Sequence, residues 1–229
     1  MKQDLIWDHF QNEGVAAFDG AKPRLEFLVR RLRRGERVLN IGVGSGYFEH
    51  IAKKSEIDVW SLDPSDRAID NIRTVLGLGD HAQVGYGEDM PFPDGHFDTV
   101  IMSEVIEHLE AETCERSLGE VHRVLKLGGK FIGTVPARER LQDSVVICPC
   151  CNHRFHRWGH QRTFDIAAMR ALLQRRFSPE IVEERFFNDW HSTTWSRRVA
   201  GLIKKLLSKC EIGTYGTARS IFFVALKSA

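Results

Sequence analysis

Between Arg37 and Asp63 the chain reads RVLNIGVGSGYFEHIAKKSEIDVWSLD: an apolar run, three glycines at alternate positions, an amphipathic stretch, and a second apolar run ending in an acid. This order constrains the fold more than any other feature. Gly42, Gly44 and Gly46 sit where a strand turns directly into a helix, and glycine lets the backbone and the following helix N-terminus approach a ligand closely. Asp63 ends the second run at about the spacing at which an acidic residue meets ribose hydroxyls in doubly wound folds. A glycine-rich turn alone carries little information, but the turn and the acid together predict a nucleotide-type site.

The rest of the chain repeats the alternation. Arg37 to Gly42, Asp58 to Asp63, Phe97 to Ser103, Lys130 to Val135, Glu180 to Phe187 and Ser220 to Lys227 read as strands. Amphipathic stretches, among them YFEHIAKK, DRAIDNIRTVL and AETCERSLGEVHRVL, separate them. This pattern predicts a mostly parallel α/β sheet covered on both faces, with an antiparallel strand at the end where no crossover helix is needed. The length of 229 residues suits a single domain. Its expected parts are a lid and helices over 1–36, a cofactor-binding core over 37–136, a loop over 137–163, and terminal helices and strands over 164–229. A formal charge of +1 gives no global attraction to nucleic acid or anionic lipid. No segment is apolar enough to span a bilayer, and the cysteines are odd in number and mostly clustered, so a cytoplasmic protein is expected.

Four segments, VLNIGVGSG, VWSLDPS, VGYGEDMPFPDGHFDTVIMSEVIEHL and EVHRVLKLGGKFIGTVP, resemble the successive motifs of class I S-adenosylmethionine-dependent methyltransferases, a group that includes ubiquinone-biosynthesis enzymes. The resemblance spans Val38 to Pro136. It implies a Rossmann-like, seven-stranded sheet of order 3-2-1-4-5-7-6 with one antiparallel strand. It also implies that Gly42, Gly44 and Gly46 lie under the methionine part of the cofactor, Asp63 holds the ribose diol and Pro64 flanks the adenine. Gly87 and Glu88 would border the adenine edge, and Ser103 would sit at the mouth of the fourth strand. Two positions depart from the pattern: Asn40 stands where the group usually carries an acid, and Tyr86 replaces an acidic reader of the adenine amine. A non-catalytic binding module on the same fold is the reading these departures keep open.

Methyl transfer to a hydroxyl is helped by a general base. SEVIEHL supplies Glu104, Glu107 and His108 after the fourth strand, and His108 and Glu104 are the expected catalytic residues, imidazole titrating near neutrality. The same string, with His160, also resembles the metal site of small-RNA 3′-end ribose 2′-O-methyltransferases, in which the corresponding residues gather around a divalent ion. The near-neutral charge disfavours an RNA substrate.

From Cys148 to His160 the chain reads CPCCNHRFHRWGH. Cys148, Cys151, His156 and His160, spaced C-x2-C-x4-H-x3-H, form a complete tetrahedral zinc set, with Cys150 and His153 as spare ligands. Four protein ligands leave no open position, so the expected zinc is structural and shapes a substrate loop. Trp158, Arg154, Arg157 and Arg162 are interleaved and suit a sugar ring or an anionic group. From His191 to Cys210 basic residues accumulate without an acid, predicting an amphipathic helix over 192–210 suited to a membrane surface or a lipid-linked acceptor. Trp7, Phe10 and Phe18 give the amino-terminal segment an apolar face for a lid. Together these features point to a small polar or saccharide acceptor.

Overall fold

The computed structural model describes residues 6, 7, 9, 20–187 and 219–228. The helix expected over 192–210 and the lid residues Phe10 and Phe18 lie outside them.

The described elements are α1 (Lys22–Val29), β1 (Arg37–Ile41), α2 (Tyr47–Lys54), β2 (Asp58–Asp63), α3 (Asp66–Val75), β3 (Ala82–Val84), β4 (Phe97–Ser103), α4 (Ala111–Val124), β5 (Leu125–Pro136), β6 (Val145–Ile147), β7 (Arg154–His156), α5 (Ile166–Leu173), β8 (Ser178–Phe186) and β9 (Arg219–Leu226). Seven of the strands form one sheet in the order β3-β2-β1-β4-β5-β9-β8. β1 pairs in parallel with β2 and β4, whereas β9 runs antiparallel to both β5 and β8. This is the expected seven-stranded, mostly parallel sheet with one reversed strand.

The sheet is buried on both faces because its central strands are apolar at successive positions, not alternate ones. Ile101 and Met102, neighbours on β4, belong to opposite cores, as do Phe222 and Phe223 on β9. One core joins the sheet to α1, α2 and α3 through Leu28, Phe48, Ala52, Ile69 and Ile72. The other joins it to α4 and α5 through Leu118, Val121, Met169 and Leu172. Each such large side chain contributes roughly 1.5–3 kcal/mol by leaving water.

The strand order reverses between β1 and β4, and this crevice at the carboxyl ends of the strands is where open α/β sheets place ligands. The loop after β1 has room to turn there only because its glycines take left-handed backbone. At Gly42 φ is 89°, and a Cβ would come within 2.8 Å of Val105 Cγ2; at Gly46, φ 76°, it would come within 2.9 Å of Ile72 Cγ2.

The structure departs from the sequence reading at short elements. β3 is only three residues long and was not anticipated, and β5 begins five residues before Lys130. The segment expected to be a zinc knuckle contains a hairpin: Val145 pairs with His156 and Ile147 with Arg154, and Cys148 to His153 make its turn. The Cys148 amide donates to the His153 carbonyl at 2.8 Å and closes that turn.

Candidate functional site

A cavity of about 940 Å³, bounded by described residues, opens over the carboxyl ends of β1, β2, β4 and β5. One end is lined by residues that the sequence reading expects to meet a cofactor. Asn40, Gly42, Gly44, Asp63, Pro64, Gly87, Glu88 and Ser103 all line it. Gly46 lies one step behind the wall, where it caps α2 in left-handed conformation.

Asp63 is 2% exposed and locked at the end of β2. Its Oδ2 accepts the Val43 amide at 2.8 Å and its Oδ1 the Ser65 amide at 2.9 Å, so one carboxylate ties the glycine loop to the next helix start. A carboxylate offers about four lone-pair sites, and hydroxyls of a ribose can share these oxygens with the amides.

Asn40 explains its own departure from the usual acid. Its Nδ2 donates to Glu49 Oε1 at 2.7 Å, and the Ser61 hydroxyl donates to the same oxygen at 3.0 Å. The carboxyl missing from the strand end is carried by the first turn of α2, one hydrogen bond behind the wall. Glu49 is fully buried, and burial raises its carboxyl to about 7 against the hydrogen bonds from Asn40 and Ser61. Nothing in the linear spacing announced this pair.

The far end of the cavity holds Arg24, Glu104, His108, Glu139, Trp158 and His160. Glu104 follows β4 with φ 58°, a left-handed conformation that costs a non-glycine residue roughly 1–2 kcal/mol. Strain of this kind persists where surrounding structure fixes a side chain for use. Its carboxylate stands 3.9 Å from Arg24, whose Nε donates to the Ser103 hydroxyl at 3.1 Å.

His108 reaches the cavity wall but is poorly set up as a base. Its Nδ1 accepts the Trp7 indole N–H at 3.3 Å. Its ring also hydrogen-bonds the Gly159 carbonyl, and burial, then the neighbouring His160, lowers its pKa to about 3. The imidazole is neutral with both nitrogens engaged, so of the two expected catalytic residues Glu104 is the better placed to take a proton.

The four expected zinc ligands do not form one site. Cys148 and Cys151 lie at the hairpin turn, with Cys150 and Cys151 exposed. His156 lies at the opposite end of the three-residue strand β7 and is 8% exposed. A β-strand advances about 3.3 Å per residue, so extended backbone separates the imidazole pair from the thiols. His156 and His160 stack on each other and join Glu139 instead. Among the described residues no metal-binding group includes a cysteine. The arginines expected beside a substrate are also elsewhere: Arg157 lies over Trp158, Arg162 over Phe164, and neither they nor Arg154 line the cavity.

The fold is the class I methyltransferase architecture, and its one described cavity has a glycine-loop end and a polar end. Residues 39–133 match the family model described as a methyltransferase domain. YrhH of Bacillus subtilis, which bears a methyltransferase name, is 33% identical over 122 residues, covering 51% of this chain and 66% of that protein. The curated relatives it matches are thus spanned only in part. A chain of the complex between the Haloferax volcanii Trm112 methyltransferase activator and a methyltransferase superposes with a TM-score of 0.70 at 19% identity, covering 100% of this chain and 98% of that one. The Burkholderia thailandensis 1,6-didemethyltoxoflavin N1-methyltransferase with bound S-adenosylhomocysteine gives a TM-score of 0.66 at 15% identity, over 99% of this chain and 86% of that one. At these identities the structures speak for the fold. Beyond the fold, the match of residues 39–133 to a methyltransferase-domain model is what links the chain to methyltransferases. No helix among the described residues is long and apolar enough to cross a membrane.

Proposed function

We propose that the protein transfers a methyl group from S-adenosylmethionine to a hydroxyl of a small polar acceptor, a sugar unit being the preferred class. The observation that carries this reading is the single continuous cavity, with Asp63 and the glycine loop at one end and Glu104, Glu139, His160 and Trp158 at the other. The residues fit the cofactor. Asp63 is a rigidly held acceptor for the ribose hydroxyls, and the glycine loop offers backbone where side chains would collide with Val105 or Ile72. Pro64, Gly87 and Glu88 would border the adenine, and Asn40, backed by Glu49, would meet the amino-acid end. When bound, the cofactor supplies an electrophilic methyl on a sulfonium.

The chain's own contribution is placement and proton transfer. Trp158 offers a flat apolar face to one side of a sugar ring, and the carboxylates around it accept hydroxyl hydrogens. Glu104 takes the proton of the attacking hydroxyl, with Arg24 beside it to hold the carboxylate in place. A lipid-linked saccharide suits the basic segment 192–210, which the sequence shows to be without acids. Zinc bound by Cys148 and Cys151 is not required by this reading.

Transfer of radiolabelled methyl from S-adenosylmethionine into a panel of free and lipid-linked saccharides tests it. The wild type is expected to label a hydroxyl-bearing acceptor, and Glu104→Gln to lose at least about a hundredfold in turnover while binding S-adenosylhomocysteine normally. Undiminished turnover in that variant would remove Glu104 from the proton's path.

A further inference from the structure

Three of the four cysteines among the described residues, Cys148, Cys150 and Cys151, meet at the tip of the β6–β7 hairpin, and none of them lines the cavity. The fourth, Cys114, is 0% exposed on α4, where burial raises its thiol pKa and keeps it from reacting. At the tip, Cys148 is partly exposed and Cys150 and Cys151 are exposed.

The backbone there is closely held. The Cys148 amide donates to the His153 carbonyl at 2.8 Å, and the Asn152 amide donates to the Cys148 carbonyl at 2.9 Å. The second bond closes a single five-residue turn, which Asn152 ends in left-handed backbone with φ 57°. Pro149 fixes its own φ inside this turn and brings no N–H of its own. The amides of Cys151 and Cys150 donate to the Cys148 sulfur, and the thiols of the same two residues meet that sulfur as well. Hydrogen bonds of this kind favour the thiolate, so the Cys148 pKa lies below that of an ordinary thiol.

Two further features bear on what meets this sulfur. A turn of this shape sets residues three apart side by side, and a disulfide spans about 4.4–6.8 Å between α-carbons, so Cys151 stands where a bridge to Cys148 closes. From Ser144 to Arg157 the chain carries Arg154 and Arg157 and no acid, while Asp143 just before it pairs with Arg140 at 3.7 Å. The tip therefore favours an anionic reaction partner. A metal is a poor alternative, because the nearby imidazoles of His156 and His160 face Glu139.

We propose that the hairpin tip is a dithiol–disulfide exchange site, with Cys148 as the attacking sulfur and Cys151 as the resolving one, acting on small disulfides that carry carboxylates. The Cys148 thiolate attacks one sulfur of the small disulfide; that S–S bond breaks, a mixed disulfide forms on Cys148, and the other half leaves as a thiolate. The Cys151 thiol gives up its proton and attacks the Cys148 sulfur. The second half leaves, and the Cys148–Cys151 bond forms. The two cysteines are oxidised by two electrons, the small disulfide is reduced by the same two, and the two thiol protons end on the released thiols. The exchange uses nothing in the cavity and is independent of the methyltransferase reading.

The test is incubation of the reduced full chain with glutathione disulfide at neutral pH in the presence of a chelator. Peptide mass mapping without reductant then locates each modification and separates the tip from Cys114 and Cys210. The wild type and Cys150→Ser are expected to end with a Cys148–Cys151 bridge and no bound glutathione. Cys151→Ser should stop at a mixed disulfide on Cys148, and Cys148→Ser should react at the tip at least about tenfold more slowly. A tip that keeps its thiols, a bridge to Cys150 in the wild type, or glutathione on Cys150 rather than Cys148 in Cys151→Ser would each overturn the proposal. So would about one equivalent of zinc, found before chelation and lost in Cys148→Ser, which would assign the thiols to a metal.

Discussion

Asp63→Ala is expected to lower the affinity for S-adenosylhomocysteine by at least about a hundredfold while leaving the sheet folded. A hydrogen bond to a charged group contributes about 1.5–3 kcal/mol, and a ribose diol makes two, so loss of the carboxylate is worth about 3 kcal/mol or more. The substitution also frees the Val43 and Ser65 amides that the carboxylate holds. Asp63→Asn separates these effects, because its amide oxygen can still anchor one of them; its loss should be about tenfold. Calorimetry on both variants, with circular dichroism to confirm folding, checks the ranking. Equal affinity in wild type and Asp63→Ala would place the ribose elsewhere.

Glu49→Gln is expected to stabilise the protein at pH 8 and to flatten its dependence on pH. The Glu49 carboxyl moves from an ordinary 4.5 to about 7 in the folded chain, chiefly through burial. A group whose folded pKa is raised binds more protons folded than unfolded, so stability falls as pH rises from about 4.5 to about 7 and is level above. The whole effect is at most about 3 kcal/mol. Glutamine keeps the acceptor for Asn40 and Ser61 and removes the ionisation. Denaturant melts at pH 5 and pH 8 should show the wild type losing stability between them through this group and the variant losing less. A variant less stable than wild type at pH 8 would mean that the buried carboxylate is held by a charge partner. The same melts with cofactor present report whether the amino-acid end of S-adenosylmethionine provides that partner.

What the sequence made legible follows from how local each signal is. The glycine turn and Asp63 were readable because a strand, a turn and a helix fix their separation within one βαβ unit. The partners that complete the site were not. Glu49 matters because α2 folds back on β1, nine residues from Asn40, and Glu139 because the chain returns to it after 21 residues at His160. No periodicity encodes either approach. The cysteine–histidine spacing satisfies a linear metal pattern, while hairpin pairing sets His156 opposite Val145 and leaves the cysteines at the turn, a separation that no linear spacing encodes. His108 lines the cavity, and its hydrogen bonds to Trp7 and Gly159, both far from it in sequence, are not encoded in its own motif. β3, β6 and β7 were missed because three residues are too few to show an alternation.

The most direct test of the central claim is calorimetric titration of the wild-type protein with S-adenosylhomocysteine. The cavity described here predicts saturable binding of one equivalent, abolished or weakened at least a hundredfold by Asp63→Ala. Absence of binding by well-folded wild-type protein would contradict the cofactor assignment and leave a methyltransferase fold that serves as a binding module.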